Sequence, residues 1–216
     1  MPKLLSTQLS ILDVHILSSF IASVFLLAIS PGPDNIFVLM QSVVHGKKFG
    51  LATVVGLMTG CIIHTSLIAF GISGIIHQNE LLFYGIKVLG AMYLLHLAYK
   101  VFKSSPEINL KFEGVQKKSS FQLFKTGFLM NVLNPKVTIF FLALFPSFLF
   151  SDSLSAFIQF YVLGGVFILT SMIVFSLIAI LGGSISEKIK KYKKLGVWLQ
   201  WLQIIVFVGI AFFILV

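Results

Sequence analysis

The sequence predicts an all-α integral membrane protein with six transmembrane helices, built as two inverted three-helix repeats whose first helices are broken by proline. Composition and charge placement carry the membrane assignment. The 216 residues are 57% hydrophobic and 11% charged, against roughly 25% charged in ordinary soluble domains, and mean hydropathy is +1.01. Residues 49–79, 153–186 and 195–216 contain no Asp, Glu, Lys or Arg. A spanning helix needs about 20 predominantly apolar residues. The repeat rests on a Pro-ion step that occurs once in each half, at Pro33-Asp34 and Pro135-Lys136.

The first span is expected over 12–42. Its apolar run begins near Val14, with Lys3 before it and small residues at Ala28 and Ser30, which imitates a secretory signal. Asp13 at its edge, Pro31 after the supposed cleavage site and the spans that follow favour an uncleaved helix instead. Spans two and three are expected over 49–75 and 81–103. The polar segment 104–120, with Ser104, Ser105, Pro106, Glu107 and Asn109, reads as a linker. It divides a single transmembrane domain, 1–216, into a first repeat, 1–103, and a second, 121–216. Spans four, five and six follow over 121–149, 154–182 and 195–216. In span two, Gly56 and Gly60 form a small-residue stripe with Ala52. It suits close helix approach within the bundle first and a homodimer contact second. Gly164-Gly165 holds a comparable place in span five.

All 16 basic residues are lysine, and the net charge is +9. Such a charge could indicate nucleic-acid binding, but these lysines fall in short gaps between apolar spans. Lys47 and Lys48 occupy one gap; Lys100, Lys103, Lys111, Lys117, Lys118 and Lys125 flank or fill a second; Lys188, Lys190, Lys191, Lys193 and Lys194 a third. The positive-inside rule places these gaps in the cytoplasm and both termini outside. The 187–194 cluster has a second possible role on anionic lipid head groups.

The chemistry concentrates at the two helix breaks. Pro31, Gly32 and Pro33 cannot continue a regular helix, because each proline lacks an N–H and clashes with the preceding turn. Freed carbonyls are tolerated at membrane depth only beside a cavity or a protein partner. Asp34 follows at once, and a lone charge at the midplane costs about 2.5–3.5 kcal/mol on insertion scales. Span four repeats this grammar with opposite sign in Asn131-Val132-Leu133-Asn134-Pro135-Lys136. An odd number of spans per half sets the halves in opposite orientations, the parity of an inverted repeat whose broken helices meet near the midplane. Lys136 suits a carboxylate and Asp34 an ammonium, so together they complement a zwitterion. Asp34 is equally a candidate proton carrier. Asn35, Asn131 and Asn134 add neutral hydrogen-bonding groups. His64, Lys87 and Tyr93 are accessory candidates. For His64, as for His96, packing is the plainer role, and Lys87 suits snorkelling to the outer surface. Tyr93 could present its hydroxyl to a cavity or pack in the bundle. The 23 Phe residues point to no site.

Four segments, in order, resemble the LysE/RhtB family of amino-acid exporters. They are Pro31-Gly32-Pro33-Asp34-Asn35, then Gly46 with the lysines after it, then Lys87 to Tyr99 with its Lys-x-x-Gly-x-x-Tyr-Leu pattern, then Gly127 to Pro146 with Asn134-Pro135-Lys136. The resemblance covers nearly the whole chain. It implies a cofactor-free secondary transporter in a bacterial cytoplasmic membrane, exporting small amino acids and driven by the proton gradient. The motif positions carried over are Pro31, Gly32, Pro33, Asp34, Asn134, Pro135 and Lys136. The absence of Arg departs from common members, although lysine supplies the same topogenic charge.

Other classes fit less well. A divalent-cation exporter would want several carboxylate, His or Cys ligands within the spans, whereas Asp34 is their only acid and Lys136 opposes a cation. No metal site is expected. The single Cys61 permits no internal disulfide or cysteine cluster, which leaves little for a redox relay or membrane enzyme. A non-transporting assembly subunit would not require two broken, charged helices.

Overall fold

The computed structural model describes residues 13–30, 32–73, 80–105, 118–191 and 195–215, and all regular structure among them is helical. In chain order the helices are α1 (Val14–Ile29), α2 (Pro33–His45), α3 (Lys47–Gly71), α4 (Glu80–Lys103), α5 (Ser120–Val132), α6 (Pro135–Leu144), α7 (Ala156–Ile180), α8 (Gly182–Lys191) and α9 (Leu195–Leu215). A single 3-10 turn, Phe145–Phe148, continues α6. Helices α3, α4, α7 and α9 are each long and apolar enough to cross a bilayer. The pairs α1/α2 and α5/α6 pass the same test only as bent units, turning by 61° and 51° at their breaks. Among the described residues there are therefore four candidate spans, or up to six if each bent pair is one span.

Local chemistry explains the boundaries. Asp13 caps α1, its carboxylate accepting from the backbone N–H of His15 at 2.9 Å and of Ile16 at 3.2 Å. Ser119 and Gln122 form a reciprocal capping box at the start of α5, which satisfies two otherwise orphaned backbone donors. Ser155 caps α7. Gly46, at φ 99°, separates α2 from α3. A β-carbon is disfavoured at that angle, so glycine permits a turn with no connecting loop. Much of the expected linker, Lys3, Pro31 and several lysines expected in the cytoplasm lie outside the described residues.

One element differs from the sequence reading. The basic stretch after span five is helical through Lys191, as α8. Gly182 and Ser186 are buried and Ile185 half-buried, while Glu187 and Lys188 are exposed. This one-sided pattern lets α8 lie against α2 and α7. A charge-rich segment was readable as a gap because only three or four positions carry its inner face.

Packing centres on α3. It lies against α5 along one side and α7 along another, while α4 pairs with α9. Apolar surface gains little by exchanging lipid for another helix, so close backbone approach and polar contacts carry the association. Gly56 allows this approach: a β-carbon there would overlap the carbonyl of Phe124 on α5. One at Gly60 would stand 2.7 Å from Asn131 Oδ1. The small-residue stripe of span two is thus occupied within the bundle. Large apolar side chains such as Phe70, Leu89, Leu169 and Phe212 cover the outside, as hydrocarbon solvent requires. Phe20, Phe140, Phe141, Phe145, Phe148 and Phe167 form a buried aromatic cluster, in which Phe141 and Phe145 stack at 4.1 Å.

Candidate functional site

The two helix breaks meet around one cavity of about 40 Å³, bordered by the end of α1, the starts of α2 and α6, and the middles of α3 and α7. Both α2 and α6 begin with proline in the first turn, where the missing N–H has no helical partner to lose. The charged residue follows immediately in each. Asp34 is 9% exposed, and its Oδ2 accepts a 2.7 Å hydrogen bond from Asn134 Nδ2. Asn134 Oδ1 in turn caps α6 by accepting from the backbone N–H of Lys136 at 3.0 Å. One asparagine therefore ties the second break to the acid of the first.

Lys136 reaches back the other way. A methyl group placed on Gly32 would lie 3.8 Å from Lys136 Nζ, so the ammonium sits beside the first break. It also lies over the ring of Phe207 from α9, 5.1 Å from the centroid, a cation–π arrangement. Among the described residues no direct ion pair joins Asp34 and Lys136, although each lies in the other's field. Asp34 in the first turn of α2 complements that helix's positive end, whereas Lys136 in the first turn of α6 adds to one. The α6 start is thus doubly attractive to an anion, and Asp34 is the nearby site for a cation.

Two of the carbonyls freed at the breaks find new partners. Pro135 lacks the N–H that would bond Asn131 O. That carbonyl accepts instead from Asn134 N at 3.0 Å and from His64 Nε2 at 3.1 Å. Ala28 O, left by the end of α1, accepts from Asn35 Nδ2 at 2.7 Å. His64 and Asn35 therefore stabilise the interruptions. His64 also lies against the ring of Phe141, at 5.4 Å between centroids. Replacing His64 with leucine should destabilise the protein by about 1 kcal/mol, in the range measured for hydrogen bonds between membrane helices. Thermal unfolding in detergent checks this. A fall in export at unchanged stability would instead indicate a relay role.

The structure gathers Gly32, Pro33, Asp34, Asn35, Asn131, Asn134 and Lys136 at the cavity, and sets His64 against its floor through Asn131. Pro135 starts α6, and Pro31 lies outside the described residues. Lys87 and Tyr93 are not among the cavity's lining residues. Lys87 is half-buried with its ammonium 5.9 Å from the Phe83 ring centroid, and Tyr93 lies 6.3 Å from His96, ring to ring. Sequence reasoning missed the apolar wall, which includes Met58, Phe167 and Phe175, and it also missed Ser171. Ser171 alone carried a signal, as a polar residue deep in an apolar run. Cys61 is buried and accepts a 3.4 Å contact from Asn131 Nδ2. Among the described residues no group of three or more His, Cys, Asp or Glu side chains is placed to hold a metal ion.

Comparison with known proteins agrees with this architecture. The family model described as LysE type translocator matches residues 25–216. The homoserine/homoserine lactone efflux protein of Salmonella typhimurium (strain LT2) is 32% identical over 170 residues, covering 79% of this chain and 82% of the relative. The protein of the same name from Salmonella typhi matches to the same extent. The uncharacterized membrane protein YrhP of Bacillus subtilis (strain 168) is 32% identical over 144 residues, covering 63% of this chain and 69% of its own length. No solved structure matches the chain. The chain is a multi-pass membrane transporter rather than an enzyme, and it belongs to the LysE type translocator family.

Proposed function

We propose that this protein exports small amino acids or their close derivatives across the bacterial cytoplasmic membrane, coupled to the proton gradient. The observation that carries the reading is the pair of opposite charges on two broken helices bordering one cavity. They lie near each other without a direct ion pair, so a zwitterion can bridge them. Its carboxylate goes to Lys136 and the start of α6, and its ammonium to Asp34. Asn35, Asn131 and Asn134 hold the frame. The names of the Salmonella relatives point to the same substrate class. A divalent cation is disfavoured by the ammonium of Lys136 near Asp34, the one acid among the cavity's described lining residues.

The cavity has room on the order of a few waters. A bound amino acid therefore requires the helices to part, which suits a transporter passing through a contracted state. Asp34 also serves as the proton carrier: protonation removes its attraction for the substrate ammonium, so proton and substrate compete for it. No cofactor is needed for this cycle.

The six-span architecture belongs to the same proposal, with each bent pair as one span and residues 1–103 and 121–216 as inverted repeats joined by 104–120. Each repeat then opens with a span broken by a Pro-ion step. Under that symmetry α3 corresponds to α7 and α4 to α9, and α3 packs on α7 as α4 packs on α9. Lysine placement puts the termini outside and leaves the 187–194 lysines near anionic lipid. A homodimer would use a face other than Gly56 and Gly60, which already meet α5.

The test is uptake of radiolabelled amino acids into inside-out vesicles. An acid interior should drive accumulation above vesicles lacking the protein, and a protonophore should abolish the excess. If none of a panel of small amino acids accumulates, the proposal fails.

A further inference from the structure

We propose that Ser171, on α7, reads a hydrogen-bonding group on the substrate's side chain and so sets specificity for hydroxylated over aliphatic amino acids. This rests on the amino-acid reading above and adds a residue to it. Helical hydroxyls in this chain ordinarily turn back on their own helix. Ser42, Thr53, Thr59, Thr65 and Thr126 all donate to the carbonyl four residues earlier. Ser171 does not. It is 1% exposed, lines the cavity that holds Asp34 and Lys136, and its Oγ has no hydrogen-bond partner among the described residues.

An orphaned buried hydroxyl is costly, because it has left water without replacing its hydrogen bond. Back-bonding to Phe167 O would remove that cost locally, as the other helical hydroxyls do. The orphan is not alone. Asn131 is 3% exposed and lines the same cavity from α5, and its Oδ1 also has no donor among the described residues. The two supply complementary chemistry. Ser171 can donate or accept, whereas an amide oxygen only accepts. A substrate hydroxyl can accept from Ser171 Oγ–H while donating to Asn131 Oδ1. An aliphatic side chain of the same size satisfies neither, and a site built to pair a hydroxyl rejects the analogue that lacks one. Asp34 and Lys136 remain for the ammonium and carboxylate that all amino acids share. The division is physical: charges recognise the common part, and two neutral orphans recognise what varies.

The experiment measures initial uptake of L-homoserine and L-norvaline, which differ by a hydroxyl in place of a methyl group, into inside-out vesicles carrying the wild-type protein, Ser171→Ala or Ser171→Thr. The wild type should favour homoserine by about tenfold, the worth of one net hydrogen bond of roughly 1.4 kcal/mol. Ser171→Ala should reduce the ratio several-fold, chiefly by slowing homoserine, and Ser171→Thr should retain the preference. An equal change in both rates for Ser171→Ala means a structural role and overturns the inference. A wild type that moves both substrates at the same rate overturns it too, while leaving amino-acid export intact. A wild type that moves no amino acid overturns both proposals.

Discussion

Asp34→Asn is expected to reduce export by about 100-fold in vesicles matched for the amount of inserted protein. The substitution is nearly isosteric. Its amide oxygen can still accept from Asn134 Nδ2, the 2.7 Å contact that links the two breaks, so the frame around α6 is retained. What disappears is the negative charge. A buried charged hydrogen-bond partner is worth about 2–3 kcal/mol or more, and 1.4 kcal/mol is a factor of ten. The same change removes the group proposed to carry the proton, so residual uptake should no longer respond to a pH gradient. Lys136 is then left without a compensating charge nearby, and an uncompensated buried charge destabilises. A lower yield of Asp34→Asn is therefore expected. Asp34→Asn combined with Lys136→Met should restore the yield without restoring export. Wild-type transport by correctly inserted Asp34→Asn would remove Asp34 from the site and with it the proposed mechanism.

The breaks were legible in the sequence because proline acts through covalent structure. Pro33 and Pro135 cannot sit inside a regular helix, whatever surrounds them, and an ion beside such a break at membrane depth needs a partner. That logic placed Asp34, Asn134 and Lys136 together before any distance was known. It could not extend to Lys87 and Tyr93. A helix that is apolar on every face has no periodic stripe to show which side is inner, and α4 is such a helix. The two residues are six apart, roughly 120° around the axis at 3.6 residues per turn, so they point in different directions from the helix. Ser171 was hidden for a different reason. Most serines in apolar helices satisfy themselves locally, and only coordinates reveal the one that does not. The partner of the Gly56 and Gly60 stripe was equally out of reach, since small residues announce a close approach without naming what approaches.

That partner is α5, and its own glycine is expected to be one of the most sensitive packing positions among the described residues. A β-carbon on Gly127 would overlap the carbonyl of Thr53 and stand 3.2 Å from Leu57 N. Both atoms are backbone, so no side chain can turn aside to make room. The contact is reciprocal, because Gly56 on α3 meets the backbone of Phe124 and Phe128 in the same way. Overpacking a tight interface costs about 1–3 kcal/mol, and backbone against backbone falls at the upper end. Gly127→Val should lower the thermal midpoint in detergent and reduce the yield of monodisperse protein. Gly165→Ala, where nothing lies within reach of the added carbon, should be neutral or slightly stabilising, since alanine is preferred over glycine in helices by about 1 kcal/mol. Equal loss at both positions would mean that general helix disruption, rather than the α3–α5 seam, sets the sensitivity. The seam also matters for transport. Gly60 lies directly against Asn131, the residue whose carbonyl is held by His64 and whose side chain borders the cavity. A wedge at Gly127 shifts α5 relative to α3 and carries the second helix break with it. Whatever Gly127→Val protein survives should therefore export poorly in proportion to that displacement, although Gly127 itself lies outside the cavity lining.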